Sequence, residues 1–126
     1  MKFEMLKTFL DGKLSSKVFA EAIKYEVKDF RRAKSIKGGS APIVVIGTGK
    51  LSVGRQSLQI VCDAYLDGSF DNWDLSYICD SILLLNQVTF SEDGIEDAFA
   101  SLTDPEINSE INRGAVEKIK RWHCSE

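Results

Sequence analysis

A six-residue pattern occurs twice and sets the frame for the whole chain. Phe9-Leu10-Asp11-Gly12-Lys13-Leu14 and Tyr65-Leu66-Asp67-Gly68-Ser69-Phe70 share the order aromatic, Leu, Asp, Gly, any residue, apolar. The match runs on past the glycine, because at the same offset of 56 residues Phe19, Ala22 and Ile23 align with Leu75, Ile78 and Cys79. Apolar residues three and four apart line one face of a helix, and glycine takes the left-handed conformation that closes a helix C-terminus. Each copy therefore reads as a helix, an Asp-Gly turn and a second helix, and two such hairpins pack naturally into an antiparallel bundle.

Helical spacing covers most of the remaining chain. Phe19, Ala22, Ile23, Val27 and Phe30 predict a helix over 16–34, capped by Ser15 or Ser16, with Lys17, Lys24, Lys28, Arg31 and Arg32 on its other face. Leu58, Val61, Cys62, Tyr65 and Leu66 predict another after a Ser52 cap, and Leu75, Ile78, Cys79, Ile82 and Leu83 a third after Asp71 or Asn72. Ser91 is expected to cap a helix through Ile95, Ala98, Phe99 and Leu102 that Asp104-Pro105 ends. Val116, Ile119 and Trp122 predict a last helix from about Asn112 to His123. Only Ile43 to Ile46 has strand character; four residues make no stable sheet alone, so they read as an extended segment covering the bundle, with a minor sheet as the alternative. With 126 residues and 44% hydrophobic content, one core is expected, and the halves on either side of the candidate linker Ser35–Pro42 are too small to fold alone. The expected fold is all-α: a single-domain antiparallel helical bundle of about five or six helices over residues 1–126, with a short extended segment near 43–46.

The net charge of −3 conceals a division. Residues 1–55 hold twelve Lys or Arg against five Asp or Glu, and residues 113–126 hold four against two. Between Arg55 and Arg113 lie 57 positions with no Lys or Arg and twelve carboxylates: Asp63, Asp67, Asp71, Asp74, Asp80, Glu92, Asp93, Glu96, Asp97, Asp104, Glu106 and Glu110. Charged side chains are almost never fully buried without partners, so these must face water, the basic flanks or another molecule. Helix N-termini favour acids, which explains Glu92, Asp93 and Asp71 locally.

Catalytic and cofactor chemistry find little support. The run Ile43-Val44-Val45-Ile46-Gly47-Thr48-Gly49-Lys50-Leu51-Ser52 resembles a strand entering a phosphate loop, yet Val44 and Leu51 stand where that loop needs a glycine and a Ser or Thr. It reads as a Gly-rich connection. Cys62, Cys79 and Cys124 are odd in number and widely spaced, which suits buried reduced thiols, and His123 beside Cys124 offers no metal cluster. A nucleophile would lack a base, since His123 is the one histidine. The acids after Asp67 do not follow the order of a calcium loop. No enzyme activity, cofactor or metal is therefore expected. No window is apolar enough to span a membrane, and the charged start Met1-Lys2-Phe3-Glu4 does not suit a signal peptide, so a cytoplasmic protein is expected.

An anionic surface speeds and orients association with a cationic protein. Within the acidic run, Asp67, Asp71, Asp74, Glu92, Asp93, Glu96 and Asp97 are the candidate contacts, with Trp73 and Tyr77 as aromatic anchors. Trp73 is equally explained as packing between the hairpins. The stretches "FLDGKLSSKVFAEAI" and "YLDGSFDNWDLSYICDSILLL", followed by "SEDGIEDAFASLTDPEINSEI", resemble small bacterial immunity proteins of colicin and contact-dependent growth inhibition systems. The likeness covers most of residues 9–23 and 58–111, and residues 35–52 have no counterpart in it. The resemblance implies a helical protein of the bacterial cytoplasm that binds the C-terminal domain of a cognate toxin, often a cationic nuclease, with no membrane or direct nucleic-acid contact. The alternative is a small regulatory or adaptor protein that binds nucleic acid or another partner through the basic helix 16–34.

Overall fold

The computed structural model describes residues 1–34, 43–103 and 112–124, the last two without their side chains. Six helices and two short strands occur among them: α1 Phe3–Leu10, α2 Ser16–Lys34, β1 Leu51–Val53, α3 Arg55–Leu66, α4 Asn72–Leu84, β2 Val88–Phe90, α5 Ile95–Ser101 and α6 Arg113–Cys124. The expected linker 35–42 and Asp104, Glu106 and Glu110 lie outside the described residues, as do the side chains of His123 and Cys124. The chain is mostly helical, and none of its described helices is long and apolar enough to cross a membrane.

Both copies of the repeat close in the same way. After α1, the Asp11 N–H donates to Lys7 O at 2.9 Å and Gly12 N–H to Phe9 O at 3.0 Å; after α3, Asp67 N–H donates to Asp63 O at 2.8 Å and Gly68 N–H to Tyr65 O at 3.2 Å. Gly12 and Gly68 take φ of 79° and 88°, the left-handed region where a side chain is strained. The caps that follow differ. Ser15 Oγ accepts from Val18 N–H at 3.1 Å, whereas Asp71 and Asp74 each accept the other's backbone N–H, at 2.8 and 3.0 Å.

The first hairpin joins the second through aromatic packing. Phe9 stacks on Phe19 with ring centroids 4.5 Å apart, and Phe70, just beyond the second turn, tilts against both. Helix α2 lies against α4, α4 against α5, and α3 packs extensively along α6. Helix α4 is the most enclosed: Leu75, Ser76, Tyr77, Ile78, Cys79, Ser81 and Ile82 are all buried. A hydroxyl is tolerated there because Ser81 Oγ donates to Tyr77 O at 2.7 Å, the usual way a helix satisfies a buried serine.

Several expectations need correction. Ser52 does not cap α3; it lies in β1, which pairs parallel with β2 in the register Leu51–Val88, Ser52–Thr89 and Val53–Phe90, and Gly54 is the N-cap. Ser91 likewise continues the pairing, donating its N–H to Val53 O at 2.9 Å, and Gly94 precedes α5. The minor sheet is therefore real but lies outside Ile43–Ile46, joined by the α3–α4 crossover that parallel pairing requires. Residues 43–46 run extended beside the N-terminus, with one bridge between Ile46 and Lys2. Ala22 is exposed despite its place in the α2 stripe, and Trp122 is 67% exposed with Lys118 Nζ 4.5 Å from its ring centroid. The glycine-rich connection wraps Phe3: a Cβ on Gly47 would stand 2.9 Å from Phe3 Cβ, and one on Gly49 2.8 Å from Phe3 Cε1. Those glycines serve close packing.

Candidate partner-binding surface

The acidic run divides according to what each carboxylate already does. Asp63 pairs with Lys120 and so ties α3 to α6. Glu92 meets Arg55 twice over: Oε1 accepts the backbone N–H at 3.2 Å, and Oε2 accepts Nε at 2.9 Å with Nη2 2.8 Å away. The backbone N–H and guanidinium of Arg55 together hold the Glu92 carboxyl below the usual carboxylate range. Glu92 thus caps the first turn of α3 across the sheet. Gly54 permits this approach, since a Cβ there would lie 2.4 Å from Ser91 Oγ and 3.2 Å from Glu92 Oε1.

The second turn consumes three more acids. Asp67 Oδ1 accepts from Ser69 N–H at 2.8 Å, and hydrogen bonding from Ser69 keeps its carboxyl low. Asp71 and Asp74 form the reciprocal cap of α4. Burial pushes the Asp74 carboxyl up to about 6, with the neighbouring Asp71 charge adding to the rise. Trp73 is half-buried against Phe30, edge-on at 6.1 Å, and Arg31 lies 5.6 Å from its ring centroid. Tyr77 is held by the fold: its ring is buried against Phe30, its hydroxyl donates to Glu26 Oε2 at 3.0 Å, and burial pushes the phenol well above its ordinary value. A buried ring of this kind is a packing element more than a presented anchor.

What remains is a cluster at the start of α5. Asp93, Glu96 and Asp97 are exposed, and no hydrogen bond or ion pair engages their side chains among the described residues. This set belongs to the start of α5, whereas Asp67, Asp71, Trp73 and Asp74 belong to the turn between α3 and α4 and the first turn of α4. Opposite charge gathers along α2. Lys17, Lys24, Lys28 and Arg31 line one side of a groove of about 650 Å³ whose other side is Gly68, Ser69, Asp71, Trp73 and Asp74.

No protein-family model, curated protein or solved structure matches this chain. Function therefore rests on surface chemistry. Among the described residues no three His, Cys, Asp or Glu side chains gather as metal ligands would. Cys62 and Cys79 are both buried and outside any disulfide, and burial raises the Cys79 thiol well above its ordinary value, which keeps it protonated. Sequence reasoning missed the Arg55–Glu92 and Asp63–Lys120 pairs, which join residues 37 and 57 positions apart with no local signal.

Proposed function

We propose that this chain is a non-enzymatic binding protein of the immunity kind, which neutralises a cationic toxin domain, of nuclease type, in the bacterial cytoplasm. The observation that carries the reading is the trio Asp93, Glu96 and Asp97: exposed carboxylates with no partner among the described residues, where most other described acids are engaged in caps and ion pairs. Unpaired charge of one sign raises association rates with an opposite surface and falls off steeply with salt. An antiparallel helical bundle would present that patch on a rigid scaffold, needing neither cofactor nor metal.

The test is affinity capture from the native cell with tagged protein, washed at low and then high salt, with retained proteins identified by mass spectrometry. A stoichiometric basic domain released by salt is expected, and Asp93→Lys with Asp97→Lys should weaken its binding about 100-fold or more, from repulsion as well as lost attraction. Unchanged affinity and salt dependence in that double variant would sink the assignment. A second reading uses the α2 groove for an anionic partner. Four cations line it, but Glu21, Asp71 and Asp74 line it too, so it is the weaker of the two. Recovery of nucleic acid sensitive to Lys28→Glu with Arg31→Glu would favour it.

A further inference from the structure

A groove of about 430 Å³ lies between α2 and residues 43–46 and shares no residue with the cationic groove described above. Its outer wall follows from the alternation of an extended chain, whose successive side chains point to opposite faces. Ile43 and Val45 pack on the core, so Val44 and Ile46 turn outward, 62% and 67% exposed, and line the groove. Phe30 and Tyr77, each 3% exposed, form its base with Met1, and Ala33 near the end of α2 stands opposite. Two large β-branched side chains left in water beside a ready cavity are an unusual display.

The charges in this cavity select what enters. Glu26 and Asp29 supply its carboxylates and, three residues apart on α2, are neighbours on one helix face. Glu26 meets the Met1 amine at 2.9 Å and the Tyr77 hydroxyl at 3.0 Å, both through Oε2, and no hydrogen bond among the described residues uses Oε1. Asp29 meets Arg32 only at 3.8 Å, with both side chains at least 70% exposed, a pair of little strength. Two carboxylates against one fixed ammonium leave a single negative charge in a cavity that is otherwise apolar. A cation on an aliphatic stem matches both properties.

We infer that this groove receives an arginine side chain of the cationic partner, its stem against Val44, Ile46 and Ala33 and its guanidinium at Glu26 Oε1 and Asp29. Arginine suits the site better than lysine, because its planar fork reaches two carboxylates at once and is more weakly hydrated than an ammonium. An arginine seated in a pocket is also a common centre of interface energy. The occupant's source rests on the cationic partner proposed above; the pocket and its preference for a guanidinium do not.

The probe is N-acetyl-arginine amide, titrated into the isotope-labelled full chain and followed through the amide resonances of Ala33, Val44 and Ile46. Those resonances should shift to saturation, with affinity about fivefold above that of N-acetyl-citrulline amide, which has the same shape without the charge. Ala33→Phe fills the groove and Asp29→Lys opposes the cation; both positions lie outside the buried core, and either change should abolish saturation. Wild-type thermal unfolding of each variant shows that the scaffold is intact. The pocket is refuted if nothing shifts, if the citrulline amide binds equally well, if the shifts survive Ala33→Phe, or if wild type sediments as a dimer that Ala33→Phe dissolves. In capture from the native cell, Ala33→Phe should weaken the basic partner about 30-fold. If Asp93→Lys with Asp97→Lys abolishes that capture while Ala33→Phe leaves it intact, the acidic reading stands and the partner's arginine is not seated here. Loss with Ala33→Phe alone keeps the pocket and removes the acidic trio.

Discussion

The two hairpins share a turn and differ in everything that surrounds it. Helix α2, in the first, buries one stripe of Phe19, Ile23, Val27 and Phe30 and keeps Lys17, Lys24, Lys28 and Arg31 in solvent. Helix α4, in the second, is covered by α2 on one side and α5 on another. Positions related by the repeat therefore meet opposite surroundings: Tyr25 is 71% exposed and its counterpart Ser81 is fully buried. Local chemistry dictates where a helix stops, whereas what covers the helix afterwards depends on elements brought from elsewhere in the chain.

The largest effect should come from placing one substitution at both of these related positions. Ser81→Lys puts an ammonium into the closed interior of α4 with no acidic partner, which costs about 4 kcal/mol or more and consumes much of a typical domain's stability. Tyr25→Lys should change stability by no more than about 0.5 kcal/mol. Urea unfolding followed by circular dichroism measures both. Equal effects would mean that α4 is not an enclosed helix.

The connection between the hairpins ranks next. Gly47 has φ of 132°, a region nearly closed to side chains, and its added Cβ would lie 2.9 Å from the Cβ of Phe3, which cannot swing away. Gly47→Ala should cost about 3 kcal/mol, and a fully buried Phe3 pushed from its place would also loosen residues 43–46. By contrast, Gly68 has nothing within 4 Å of a built Cβ and Gly12 only Ile60 Cδ1 at 3.7 Å, an ordinary contact. Gly12→Ala and Gly68→Ala should each cost about 1 kcal/mol from backbone strain alone, and by similar amounts. A large disparity between them would show that the repeat's two turns are not equivalent.

The turns were legible in the sequence because their cause is local: an Asp-Gly pair after an apolar stripe carries its own geometry. The span 16–34 for α2 was legible for the same reason. Ser52 and Ser91 misled because serine before an apolar run suits a cap, while their actual place is set by pairing between β1 and β2 across α3 and α4. Three-residue strands carry too few alternations to be seen. The site divides similarly. Which residues are acidic was plain, but Glu92 is engaged by Arg55 and Asp63 by Lys120 through contacts that only the fold creates. Those pairings separate Asp93, Glu96 and Asp97 from their neighbours in sequence.

The smallest effect expected is also the one that best separates the hairpins, because only the second has a titrating cap. Ser15 caps α2 with a neutral hydroxyl; Asp71 and Asp74 cap α4 with two carboxyls, and burial holds Asp74 up to about 6. An aspartate in the unfolded chain titrates near 3.9. Between those values the folded chain retains a proton that the unfolded chain has released, so this group's contribution to stability is fully present below about pH 4 and is lost as pH rises through about 6. Asp67 and Glu92 act in the opposite sense, being held low, so their contributions are lost as pH falls; both are exposed, and the comparison must cancel them. Asp74→Asn does so. It keeps an oxygen to accept the Asp71 N–H and removes the titration, so its stability relative to wild type should rise between pH 4 and 7 by about 1 kcal/mol after solvent screening is allowed for. Ser15→Ala should lower stability by about 1 kcal/mol at every pH. If the Asp74→Asn difference is flat with pH while that of Ser15→Ala slopes, the two caps do not work in the way their geometry implies.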